Sequence, residues 1–283
     1  MPAIDHHAKS AWDTLEAIRA KAPLVHSVTN LVVTNLTANV LLALGASPAM
    51  VENVEEAGEL AAVAGSVVIN LGSMSAARTD AMQAATLAAD RSGTPWVLDP
   101  VAVGALSYRS EVARGLLAHR PTVIRGNASE ILSLAGGDGG GKGVDSTLDP
   151  EAAVSAAQRL AQSAGCVVAI TGRIDRITDG DRLLEVHNGH QMQTRVTGMG
   201  CSATAVIAAC LAVTRAASSD WLATTAQGLA LFGLAAEHAA AASAGPASFQ
   251  VALIDALFNL DEAQTLTGVR INPPPSEPRR PAP

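Results

Sequence analysis

Four short apolar runs constrain this chain more than any other feature: SVVIN (66–70), WVLDP (96–100), PTVIRGN (121–127) and GCVVAITG (165–172). None alternates apolar with polar residues, and polar side chains gather at their ends: Asn70, Asp99, Arg125 with Asn127, and Thr171. A strand with one wet face alternates; a strand buried on both faces reads as a continuous apolar run, the pattern of parallel sheets. Helical patterns separate the runs at 8–20, 55–64, 76–92, 111–118, 129–136 and 152–163. RITDGDRLLEVHNGH (176–190) reads as a hairpin around Asp179-Gly180, and the stretch beyond Cys201 as largely helical. This rhythm predicts an α/β fold with a central, mostly parallel sheet flanked by helices. In open sheets of that kind ligands bind beyond the carboxyl ends of the strands. The terminal polar residues therefore point to one pocket.

Composition narrows the function. The 283 residues are 48% hydrophobic but only 2% aromatic, so the core is built from Ala, Val, Leu and Ile. The net charge of -7 argues against nucleic-acid partners, which need concentrated Lys and Arg. Three cysteines are too few for a disulfide framework and fit a reducing compartment. No charged-then-apolar leader opens the chain, and no uninterrupted apolar run reaches the ~20 residues of a membrane span. The expectation is a cytoplasmic protein with no membrane partner. INPPPSEPRRPAP (271–283) reads as a disordered proline-rich tail, leaving residues 1–270 as a single domain.

Two glycine-rich stretches invite a phosphate reading. GGDGGGKG (136–143) nearly matches a phosphate-binding loop, but Gly143 stands where Ser or Thr should bind the metal, and a helix pattern precedes it instead of a strand. It reads as a mobile loop. VTGMGC (196–201) is better placed, because a long apolar run without a strong breaker follows. Glycines let backbone N–H groups approach a ligand, and a helix start adds unpaired donors and a positive dipole end. Gly198 and Gly200 then form either an anion hole or only a tight turn before a buried helix. Cys201 would lie in the first helical turn, where a thiol pKa can fall. That leaves open a nucleophile with His26, His187 or His190 as base, or a small buried side chain. Cys166 and Cys210 sit in apolar runs and read as buried. His187 and His190 lack a third nearby ligand for zinc. Asp99 and Glu130 could hold Mg²⁺, directly or through water; alternatively Asp99 is a turn residue and Glu130 half of a capping box with Asn127.

Taken in order, PLVHSVTNLVVTNLTANVLLALGASPAM (23–50), VLDPVAVGA (97–105), IRGNASEI (124–131), KGVD (142–145), AITG (169–172), HNGH (187–190) and VTGMGCSATAV (196–206) resemble the hydroxyethylthiazole kinases. The resemblance spans roughly residues 12–260. It implies a ribokinase-like three-layer α/β/α fold and phosphorylation of 4-methyl-5-(2-hydroxyethyl)thiazole with ATP and Mg²⁺, which salvages the thiazole half of thiamine. It implies a homotrimer with thiazole sites between subunits. On it, Met50, Asn30 and Gly198 contact the thiazole, Arg125 and Thr171 contact ATP, and Asp99 and Glu130 organise Mg²⁺ and phosphate. Gly198 and Gly200 become the anion hole. Cys201 stands where related ribokinase-like enzymes carry an aspartate base, so it orients the alcohol or acts as a modest base. The chain departs from the family's usual DPVGAGA at Ala102 and Val103. If that glycine serves a positive φ, Ala102 strains the loop. Met199 replaces the usual Ala or Thr, adding bulk beside the substrate or pointing away.

Overall fold

The structure, a computed structural model, describes residues 6–136, 150–214 and 220–274. Its elements run α1 (His6–Lys21), β1 (Leu24–Val28), α2 (Thr34–Leu44), β2 (Ser47–Ala49), α3 (Val54–Val63), β3 (Ser66–Asn70), α4 (Ala76–Ser92), β4 (Trp96–Asp99), α5 (Ser107–Leu117), β5 (Val123–Asn127) and α6 (Ala128–Leu134). They continue with α7 (Pro150–Ala164), β6 (Val167–Thr171), β7 (Asp175–Thr178), β8 (Leu183–Val186), α8 (Met199–Val213), α9 (Trp221–Ala241), α10 (Pro246–Asn259), α11 (Glu262–Gly268) and β9 (Ile271–Asn272). One nine-stranded sheet takes the order β2-β1-β3-β4-β5-β6-β7-β8-β9. Its first six strands are parallel, and the last three pair antiparallel.

Two apolar clusters cover the two faces. Val25, Val68, Val97, Val123 and Ala169 pack with α1, α2, α8, α9 and α10; Val67, Ile69, Leu98, Ile124 and Val168 pack with the layer containing α3, α4 and α7. This is the expected three-layer arrangement. α8 is buried along most of its length, including every residue from Ser202 to Leu211. A helix that is apolar all round belongs inside a protein, and its many alanines let the neighbouring elements come close.

The consecutive crossovers leave β1 in opposite directions, to β2 on one side and, by way of β2, to β3 on the other. The crevice between β1 and β3 is therefore the switch point at which open α/β sheets bind ligands. At the far edge, Ile271 pairs with Val186. Regular structure thus enters the proline-rich stretch by two residues, correcting the boundary at 270; residues 275–283 lie outside the described residues. The near phosphate loop also lies outside them beyond Gly136, as does KGVD. What precedes it is α6, a helix and not the strand a phosphate loop requires.

Candidate active site

Side-chain alternation builds the site. Val68 and Val97 face α8, Ile69 and Leu98 face away, so Asn70 and Asp99 return to the α8 side. The two are in register across β3 and β4. Asn70 Nδ2 donates to Asp99 Oδ2 at 2.8 Å and to Cys201 Sγ at 3.3 Å. Asn30, just beyond β1, spans the switch point: its Nδ2 donates to Asn70 Oδ1 at 3.0 Å and to Cys201 Sγ at 3.4 Å. Thr204, one helical turn into α8, donates to Asp99 Oδ2 at 2.9 Å. Asp99, Asn70, Asn30 and Cys201 thus form one continuous network, and Asp99, Asn70 and Asn30 are buried.

Gly198 opens α8 with φ 84 and offers no capping side chain. A Cβ there would lie 2.8 Å from Val33 Cγ1. Only glycine permits both the left-handed turn and this approach to α2. The first N–H groups of α8 have no acceptor within the helix, so they point out of its head. Gly200 packs under the Arg125 guanidinium; a Cβ there would lie 2.7 Å from Nη1. Thr171 bonds Gly126 O at 3.3 Å, next to Arg125 in the adjoining strand. Arg125 makes no ion pair among the described residues, and its buried Nε has no partner.

The electrostatics bear on one of the open readings of Cys201. Cys201 does lie in the first turn of a helix, but its thiol is not activated. Burial, and then the Asp99 charge, push it up to about 11, outweighing the Asn70 and Asn30 amides. No histidine serves it as base. His26 Nε2 meets Val51 O at 2.7 Å, His187 pairs with Glu185 at 3.3 Å, and His190 Nδ1 accepts from Met192 N at 3.1 Å. Cys166 and Cys210 are buried, each pushed up to about 12 by desolvation.

Glu130 does take the capping role. It closes the capping box of α6: Asn127 N donates to Oε2 at 2.9 Å, and Glu130 N donates to Asn127 Oδ1 at 2.9 Å. Its Oε1 accepts from Ala102 N at 2.9 Å. Burial, and then the Asp99 charge, raise its pKa; burial also raises that of Asp99. Two carboxylates that repel each other, one buried and one half-buried, suit a cation. The described residues contain no cluster of three or more His, Cys, Asp or Glu able to cage one. That donor set fits Mg²⁺, which takes one or two carboxylates and fills its sphere with water and phosphate oxygens. The hydrogen bonds to Asp99 both land on Oδ2, leaving Oδ1 for such a ligand.

Ala102 adopts φ 61, so the alanine does sit in the left-handed region at the head of this loop. Met199 is buried in the core cluster. Met50 is half-buried just beyond β2.

The chain has known counterparts. Residues 15–263 match the Hydroxyethylthiazole kinase family. The chain belongs to that family. It is 57% identical over 260 residues to a hydroxyethylthiazole kinase of Granulibacter bethesdensis, covering 90% of this chain and 93% of that one. The structure of the Pyrococcus horikoshii hydroxyethylthiazole kinase superposes with a TM-score of 0.85 at 38% identity, over 93% of this chain and 98% of that one. A ribokinase-like protein of Enterococcus faecalis shares the fold, with a TM-score of 0.61 at 13% identity over 91% of this chain and 90% of that one. The protein is accordingly a kinase with the ribokinase-like α/β/α fold. No helix among the described residues is long and apolar enough to cross a membrane.

Two participants were hidden in the sequence. Asn70 is visible there as a strand-end polar residue, but not as the link between Asp99 and Cys201. Thr204 sits within an apolar helical run and carries no signal of its own.

Proposed function

We propose that the protein transfers the γ-phosphoryl group of ATP, with Mg²⁺, to the hydroxyl of 4-methyl-5-(2-hydroxyethyl)thiazole, giving the thiazole phosphate and ADP for thiamine salvage. The observation that carries this is the meeting of Cys201, held by Asn30 and Asn70, with buried Asp99 and with Arg125, which makes no ion pair among the described residues, at an uncapped helix head. Arg125 and Thr171 bind the nucleotide phosphates. The N–H groups at Gly200 and Cys201, behind the Gly198 turn, stabilise the negative charge of the transferring group. Asn30, Met50 and Gly198 hold the thiazole. Asp99 and Glu130 hold Mg²⁺, which when bound neutralises phosphate charge.

The alcohol oxygen forms its bond to the γ-phosphorus as the bond to the bridging oxygen breaks, and ADP leaves with the electron pair. In a loose phosphoryl-transfer state the protein mainly positions and neutralises. The alcohol proton then passes to water or to a phosphate oxygen as the new bond forms, and no preformed thiolate is needed. Cys201, a neutral thiol with its pKa pushed up to about 11, orients the hydroxyl.

A trimer is part of this reading. Leu31 and Val32 are 66% and 71% exposed directly after Asn30, and Val54 is 46% exposed just past Met50. Apolar side chains around a pocket mouth call for a cover, and a neighbouring subunit supplies one.

The test is ADP formation with ATP and Mg²⁺, with and without hydroxyethylthiazole. Turnover that depends on the thiazole is expected, with Cys201→Ala slowed but not silent. Folded protein with no thiazole-dependent turnover overturns the reading.

A further inference from the structure

Residues 50–52 join β2 to the cap of α3 and belong to no helix or strand. They are nevertheless held from two sides. His26, fully buried on β1, lies 2.7 Å from Val51 O through Nε2. A carbonyl only accepts, so Nε2 carries the proton. Arg78, in the first turn of α4, is buried and donates through Nη1 to Glu52 and through Nη2 to the carbonyl of Thr29. One guanidinium therefore joins the residue before Asn30 to the residue two beyond Met50. His26 follows Val25 and precedes Ser27 on β1, so it faces the α3–α4 layer and not α8. Neither residue reaches the Cys201 network. Their effect on the pocket passes through the backbone.

We propose that Arg78, with Glu52 and His26, is a positioning clamp that sets the separation of Asn30 and Met50 and thereby decides which heterocyclic alcohol the pocket admits. This rests on the reading that Asn30 and Met50 line the alcohol pocket. Arginine suits the task because its planar fork holds two acceptors at a fixed separation, whereas lysine offers a point charge on a flexible stem. The pair is asymmetric: the Arg78 side chain is 8% exposed and that of Glu52 47%. Removing Glu52 leaves a buried cation without its counter-charge, and the Thr29 carbonyl then competes for it alone.

The experiment is steady-state kinetics with thiazole and ATP varied separately, for wild type, Met50→Ala, Glu52→Ala, Arg78→Lys and the Glu52→Ala/Arg78→Lys double variant. Glu52→Ala is expected to raise the thiazole KM about threefold and Arg78→Lys about tenfold, with kcat and the ATP KM within about twofold, since uniform binding is what is lost. The double variant is expected to match Arg78→Lys alone, because both changes break one unit. Ring analogues one substituent larger are expected to gain relative kcat/KM in Glu52→Ala and in Arg78→Lys. If Met50→Ala raises the thiazole KM while Glu52→Ala and Arg78→Lys leave it and the analogue ranking unchanged, the clamp is wrong and the pocket reading stands. If Met50→Ala also leaves the thiazole KM unchanged, the pocket reading fails and the clamp falls with it. Should Arg78→Lys not fold, Glu52→Ala at its half-exposed position decides the matter alone.

Discussion

The two ends of the sheet hold similar charged residues under opposite conditions. At the amino end, before β5 and β6, a cavity of about 340 Å³ is lined by Arg120, Asp179, Arg182 and Asp220. Every one of those charges has a partner. Arg182 bonds Asp179 at 2.8 Å and Asp220 at 2.8 and 3.0 Å, and Arg120 bonds Asp90 at 2.7 Å. Hydrogen bonds from Arg182 hold the Asp220 carboxyl below its usual range. At the carboxyl end, burial moves Asp99 and Glu130 the other way, and Arg125 stands among them without an ion pair among the described residues. Charge pairing favours the carboxyl end: matched charges need no ligand, whereas buried unmatched ones do.

Neutralising one carboxylate at each end breaks or sharpens this contrast most strongly. Asp99→Asn is expected to lower kcat/KM by about a thousandfold or more, as the loss of a charge-organising group does. The same change is expected to stabilise the ligand-free protein by about 1 kcal/mol. The sign follows from linkage: a carboxyl with a raised folded pKa contributes stability below its unfolded pKa and loses it as pH rises through the folded value. Asparagine removes that loss, so the gain is seen at neutral pH and vanishes in acid. Asp220→Asn is expected to leave activity intact and to cost at most about 1 kcal/mol, as exposed ion pairs do. Thermal melts with kinetics on the two variants check both; destabilisation by Asp99→Asn would erase the distinction.

Cys201 gives the next largest effect. With its pKa at about 11 against 9.0 for an ordinary thiol, its alkylation at pH 8 is expected to run about a hundredfold slower than that of an unperturbed thiol. The turnover rate should show no rise through pH 8–9 that disappears in Cys201→Ala. Gly200→Ala comes third. Its Cβ must displace the Arg125 guanidinium, so the ATP KM is expected to rise about tenfold while the thiazole KM holds, the split that a misplaced binding group produces. Smallest is Ala102→Gly. Relief of the left-handed strain at φ 61, offset by the greater freedom of the unfolded chain, leaves a gain of about 0.5 kcal/mol in a denaturant melt.

β3 to β6 were legible because each is buried largely on both faces and opens on an apolar run without alternation. β2 was not: three residues centred on Pro48 carry no such run, and its pairing with β1 depends on the crossover. α5 begins at Ser107, earlier than its apolar pattern suggests, because the polar SYRS turn gives no periodic signal. Strand-end polarity pointed to the candidate site and brought out Asn70, Asp99, Arg125 and Thr171. The sequence could not reveal the cost of burial, so a helix start suggested an activated thiol at Cys201 where desolvation wins. Arg78 likewise reads as an ordinary helix residue; only the packing of α4 against β1 brings its guanidinium to Thr29 and Glu52. The strain at Ala102 was visible through the family resemblance, since a glycine commonly stands at that position.

The central claim is direct transfer from ATP to the thiazole alcohol, with Cys201 holding the hydroxyl and never carrying the phosphoryl group. ATP made chiral at the γ-phosphorus with oxygen isotopes tests it in one measurement. A single in-line displacement inverts the configuration in the thiazole phosphate, and inversion is the expected result. Retention would mean two displacements through a phosphorylated enzyme group, and would contradict the account.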